Sequence, residues 1–189
     1  MTLDTAAIIA ETRAWVDRAV IGLNLCPFAK AVQVKGQIRY VVCPASEPAE
    51  LLNTLCDELH RLAESDPQDV DTTLLIHPAA LTDFLDFNDF LAVADAAVEE
   101  HGYAGILQVA SFHPQFQFAD TDINDVSNAT NRAPFPTLHL LRESSIDRAV
   151  AAFPEAETIF EANIETLENL GAEGWAALQA QCKRDAENR

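Results

Sequence analysis

Ile38-Arg39-Tyr40-Val41-Val42-Cys43-Pro44 is the stretch that decides the fold. Four of its seven residues are β-branched or aromatic, and a proline closes it, the pattern of a strand that ends where the ladder loses a donor. The same grammar recurs at Thr72 to His77, closed by Pro78, and at Ile106 to His113, closed by Pro114. A fourth run, Thr137 to Arg142, completes the set. Between the strands the apolar period changes to that of a helix. Ile8, Ile9, Trp15, Val16, Ala19 and Val20 predict an amphipathic helix over 5–21, ended by Asn24 and Pro27. Ser46 precedes Glu47, Pro48 and Glu50 as a cap, and Leu51, Leu52, Leu55, Leu59 and Leu62 form the stripe of a second helix that ends near Ser65. Phe84, Phe87, Phe90, Leu91, Ala94 and Val98 mark a third over 83–100. Helices over 145–153 and 155–182, separated by Pro154, follow the last strand.

This order predicts an α/β (or α+β) protein in a single domain spanning 1–189. A sheet of about four mixed strands is covered by helices, with a helix at the N-terminus and a long one at the C-terminus. With 189 residues, 49% of them hydrophobic, the chain is long enough to bury one core. Its 30 acidic residues against 12 basic ones give a formal charge of -18, which repels phosphate backbones and anionic head groups. Nucleic acid and membrane surfaces are therefore excluded as expected partners, and a small molecule is favoured. The start carries Asp4 and no Lys or Arg, and no apolar run reaches membrane length, so a cytoplasmic location is expected. Cys26, Cys43, Cys56 and Cys182 show no CxxC spacing and read as reduced thiols.

Three strands end in Cys43-Pro44, His77-Pro78 and His113-Pro114. The carboxyl ends of parallel strands meet along one sheet edge, where ligands bind. Convergence there, with His139 from the fourth strand, would supply thiolate and imidazole ligands for a transition metal such as zinc. No HExxH or comparable metal signature supports that set, and prolines that simply stop strands explain the pattern as well. The segment 111–143, which contains the long connection between the third and fourth strands, is more informative, and the site of an enzyme is expected there. Phe112, Phe116, Phe118 and Phe135 are anchors against disorder, while Asp125, Asn128, Asn131 and Arg132 offer short polar groups and a guanidinium suited to a small polar, even anionic, ligand. Self-satisfying Asx turns are the structural alternative. Asp120, Asp122, Asn124 and Asp125 lack the glycine and terminal glutamate of an EF-hand loop. The expected catalytic residues are His113, as general base or metal ligand, His139 in support, and Cys26 as nucleophile or ligand. A non-catalytic binding module is the alternative from another class.

The strings Asn24-Leu-Cys-Pro-Phe28, Gln108-Val-Ala-Ser-Phe-His-Pro114 and Asn131-Arg-Ala-Pro-Phe-Pro-Thr-Leu-His-Leu-Leu-Arg-Glu143 resemble the domain-of-unknown-function family 1415, over nearly the whole chain. The resemblance implies no activity, fold or cofactor. Ala133 stands where the family's Asn-Arg-Ser-Pro string has a serine, so that hydroxyl position has no catalytic role here.

Overall fold

A computed structural model describes residues 3–152 and 158–188. Six helices, α1 (Thr5–Trp15), α2 (Ala29–Val34), α3 (Pro48–Glu64), α4 (Phe84–Glu100), α5 (Glu143–Ala152) and α6 (Ile159–Glu187), surround four strands, β1 (Ile38–Val42), β2 (Thr72–Ile76), β3 (Leu107–Phe112) and β4 (Thr137–Arg142). The strands form one mixed sheet in the order β1-β2-β4-β3. β1 and β2 are parallel neighbours joined through α3. β4 lies between β2 and β3 and is antiparallel to both, so β3 runs in the same direction as β1 and β2. No helix among the described residues is long and apolar enough to cross a membrane.

Because side chains alternate along a strand, the sheet offers two faces, and both are covered. On one face Leu75, Leu107, Leu138 and Leu140 meet the α3 stripe Leu51, Leu55, Leu59 and Leu62 and the α4 residues Phe87, Phe90 and Ala94. On the other, Ile38, Tyr40, Leu74 and Phe112 meet Trp15, Val16 and Ala19 from the N-terminal helix and Leu167, Trp175 and Cys182 from α6. β2 is consequently buried at all five positions.

Helix boundaries differ from the sequence expectation where local chemistry decides them. The helix expected over 5–21 stays α-helical only to Trp15 and widens into a π-helical turn over Val16–Ile21. At its exit, a Cβ on Gly22 would lie 2.2 Å from the Arg18 carbonyl oxygen, so the chain needs glycine there. Ser46 does not cap α3. Glu47 occupies the cap position without a side-chain hydrogen bond, and Pro48, which has no N–H to satisfy, opens the helix instead. Asp83 does cap α4, accepting from the backbone N–H groups of Leu85 and Asp86. The long terminal helix breaks at Gly171, whose φ of 69° is left-handed. Pro154, expected to separate the last two helices, lies outside the described residues.

The last side chain of β4 ties this framework together. Arg142 is buried, and its Nη2 donates to the carbonyl oxygens of Leu62, Ser65 and Val70 at 2.6, 2.7 and 3.1 Å. These carbonyls close α3 and begin the connection to β2, where a guanidinium both satisfies orphan acceptors and complements the helix dipole. Arg142→Met keeps the apolar stem but leaves those acceptors unpaired. It should lower stability by about 2–4 kcal/mol in urea unfolding with an unchanged m-value, and a loss below about 0.5 kcal/mol would show the contacts to be dispensable.

Candidate functional site

The sheet face beneath α1 is not completely filled. A cavity of about 320 Å³ lies between the strands, the π-helical turn, α2 and α5. Trp15, Val16, Val20, Phe28, Ile38, Leu74, Phe112 and Ile146 make it chiefly apolar, and Thr72, Gln108, His139, Asp71, Ser145 and Cys26 supply its polar groups. The register explains which strand residues face it. His139 stands opposite Leu74 on β2 and Ala110 on β3, on the same face as Thr72 and Phe112. Cys26 arrives from another direction. The turn after the π-helical segment folds back through Leu25 N–H to the Val20 carbonyl at 2.9 Å, and Asn163 of α6 donates to the Leu25 carbonyl at 2.9 Å. Asn24 takes a φ of 55° to make that turn.

The protonation state of His139 can be deduced from proton counting. Thr72 Oγ1 lies 2.6 Å from the Leu140 carbonyl oxygen and 2.8 Å from His139 Nε2. A hydroxyl has one proton, and a carbonyl can only accept. Thr72 therefore donates to Leu140 and accepts from His139, which fixes the proton on Nε2 and leaves the Nδ1 lone pair uncommitted. Burial pushes the pKa of this ring down to about 4, so it is neutral near pH 7. Nδ1 has no partner among the described residues, yet it is not one of the sealed orphan atoms, which are Thr73 Oγ1, His77 Nε2 and Arg142 Nε. The accessible surface of the ring belongs to the cavity it lines. Cys26 shares the cavity with its thiol pKa raised by burial, against which backbone N–H groups of Phe28 and Ala29 pull weakly. The pair is thus a neutral thiol and a neutral imidazole rather than an ion pair.

Residues 7–177 match the family described as "Protein of unknown function (DUF1415)". The chain belongs to this family. No curated protein and no solved structure matches it. Within this DUF1415 chain, His139 and Cys26 come to one cavity and His113 goes to the opposite side of the sheet. His113 packs between Phe84 and Phe87, at ring-centroid distances of 5.5 and 5.1 Å. Its Nδ1 accepts from Gln115 N–H at 3.0 Å and its Nε2 faces the Leu81 carbonyl at 3.3 Å, so both nitrogens bind backbone. His77 lies beside it, stacked on Phe87 at 5.6 Å, with its pKa held at about 4 mainly by burial. The expected gathering of Cys43, His77, His113 and His139 around a transition metal does not form. His139 faces the other way, the Cys43 thiol turns to Thr54 Oγ1 at 3.4 Å, and no group of three or more His, Cys, Asp or Glu among the described residues could hold a metal ion.

The polar residues of the connection 113–136 mostly hold that connection together. Asp125 caps a short 3₁₀ turn, Val126–Asn131, by accepting from Ser127 N–H at 2.9 Å. Asn128 is fully buried; its Oδ1 accepts from Phe118 N–H and Thr121 Oγ1, both at 2.9 Å, and its Nδ2 donates to the Asp122 carbonyl. Asn131 Nδ2 donates to the Ser111 carbonyl. Arg132 Nε and Nη2 donate to the carbonyls of Phe116 and Ile123, and its side chain also lines a separate cavity against α6. Thr72, read only as a strand start, Trp15, read only as part of a helix stripe, and Asn163 were not among the expected site residues. Two threonines opening an otherwise apolar, fully buried strand were the signal available for Thr72.

Acid should expose the buried imidazoles. Both His77 and His139 fall from an ordinary 6.5 to about 4 in the folded chain. Between pH 6.5 and 4 the unfolded chain binds protons that the folded chain refuses. Stability from these rings is therefore complete above pH 6.5 and is lost as pH falls through that window, by about 3 kcal/mol per ring at its foot. Long-range ¹H–¹⁵N NMR should show His139 as the Nε2–H tautomer down to about pH 4; a titration midpoint near 6.5 would contradict the buried, single-tautomer arrangement.

Proposed function

We propose that the chain binds a small, uncharged, largely apolar molecule in the His139 cavity, and that a donor on this molecule bonds to His139 Nδ1. The observation that carries this reading is the Thr72 hydroxyl, whose single proton is spent on Leu140 and so leaves Nδ1 as an acceptor. A cavity of about 320 Å³ sits at the small end of the range of about 300–1,000 Å³ usual for ligand sites. Walls of Trp15, Val20, Phe28 and Phe112 favour an apolar body. No Lys or Arg lines it and Asp71 does, so the anionic metabolite expected from Arg132 has no support in this cavity. The small-molecule partner expected from composition is retained, with its polarity revised.

A second reading, catalysis by Cys26, is favoured by the backbone N–H groups of Phe28 and Ala29, which pull its thiol pKa down against burial. There the thiol adds to the carbon of a ligand C=O or activated C=C while His139 Nδ1 takes its proton. The π pair moves to the far atom of that double bond, which then receives the proton back from His139. Burial of both groups works against charge separation before a ligand arrives, which places binding ahead of catalysis.

Phenol and toluene separate the outcomes, since they share a shape and differ in one donor. Wild type should bind phenol about tenfold more tightly than toluene, the worth of one buried hydrogen bond, and His139→Phe should abolish the preference. Equal affinities in wild type would remove the acceptor role. Iodoacetamide alkylation of Cys26 across pH then decides on catalysis: an apparent thiol pKa above the ordinary value of about 8.5 supports binding, and one below it supports the nucleophile.

A further inference from the structure

A second cavity, of about 470 Å³, opens between the end of the 113–136 connection and the second half of α6. Trp15, Trp175, Pro114 and Phe135 form flat, stiff walls, and Arg132 and Lys183 bring two cations into a chain whose formal charge is -18. Trp15 is common to both cavities.

The state of Arg132 is unusual. A guanidinium has five N–H donors. One on Nε and one on Nη2 go to the carbonyls of Phe116 and Ile123, at 3.1 and 2.7 Å, and no carboxylate pairs with Arg132 among the described residues. Asp125, the acid whose field reaches it, commits one carboxylate oxygen to Ser127 N–H. A donor therefore remains on each terminal nitrogen, the pair that receives a carboxylate in fork fashion. The charge is partly desolvated; backbone carbonyls orient the side chain and Asp125 acts on it through its field without a direct ion pair. Lys183, exposed on α6, adds a second positive group at the same opening. Glu11 also lines the cavity; burial raises its carboxyl pKa and the field of Lys183 lowers it, so it faces Lys183 and leaves Arg132 as the principal cation for a ligand.

We infer that this cavity is a separate site for a small aromatic or otherwise flat monocarboxylate, its carboxylate on Arg132 and Lys183 and its body between the tryptophans. Flat walls exclude a branched or strongly hydrated anion such as phosphate from close contact, and the guanidinium fork matches a planar group. The site is independent of the neutral ligand assigned to the His139 cavity.

Benzoate and benzamide, compared in the His139→Phe background so that the amide finds no acceptor in the other cavity, test it, being alike in shape and different in charge. Both tryptophans of the chain line this cavity, so intrinsic fluorescence reports occupancy and calorimetry gives affinity. Benzoate should bind at least about tenfold more tightly than benzamide in low salt. Arg132→Gln should remove that preference, and Lys183→Gln should weaken benzoate severalfold. Lys35→Gln, an equal change of net charge at an exposed position, should leave it unaltered. Arg132 also holds the connection, so a melt accompanies that variant; should Arg132→Gln unfold, Lys183→Gln and the salt dependence decide alone. Equal binding of benzoate and benzamide, no binding of either at millimolar concentration, or benzoate affinity indifferent to Lys183 and salt would overturn the assignment.

Discussion

Strand β2 has no free side. It is hydrogen-bonded to β1 and β4 along both edges and is buried above and below at every position. Water cannot reach its polar side chains, so each must find a partner inside the protein or remain orphaned at a cost of about 1–3 kcal/mol. Thr73 remains orphaned. Thr72 does not, and the way it is satisfied governs the His139 cavity. Its hydroxyl closes onto the neighbouring strand through Leu140, and the remaining lone pair fixes the ring of His139 in one tautomer. A core requirement thereby becomes a chemical property of a cavity wall.

The strands were legible because β-branched runs closed by proline leave few alternatives, and β4 was bounded correctly at Thr137 and Arg142. What the linear pattern withheld was order and register. Cys43, His77 and His113 do follow strands of common direction, as the closing prolines suggest, but insertion of β4 between β2 and β3 and the strict alternation of faces send His113 and His139 to opposite layers. Nothing local encodes that parity, because it depends on the register in which β4 pairs with β3, which sets Ala110 opposite His139. Cys26 and His139 were both singled out, yet their meeting needs a π-helical turn, a left-handed Asn24 and a clamp from Asn163, features set by distant packing. The density of Asp and Asn in the connection carried two meanings at once. Asp125 and Asn128 are spent on turns and backbone, as Asx chemistry alone would demand, while Arg132 keeps donors to spare.

The two cavities contrast in the electrostatics of their walls. One places Cys26 and His139, which burial favours in their neutral forms, on its wall. The other holds a guanidinium among carbonyl dipoles, with no carboxylate paired to it directly among the described residues. Trp15, packed edge-on against Phe112 at 5.2 Å, forms the partition.

The central position of β4 has a consequence for how the chain comes into being. When synthesis has passed β3, the parallel pair β1 and β2 can form with α3, but β2 still presents an unpaired inner edge and β3 has no strand to join. Only after residues 113–136 have followed does the strand emerge that fills the gap and unites the two parts. The exposed inner edge of β2 is a template for the wrong chain during that interval. The nascent protein is therefore most vulnerable to mispairing in the middle of its sheet, at a place that the finished molecule hides completely.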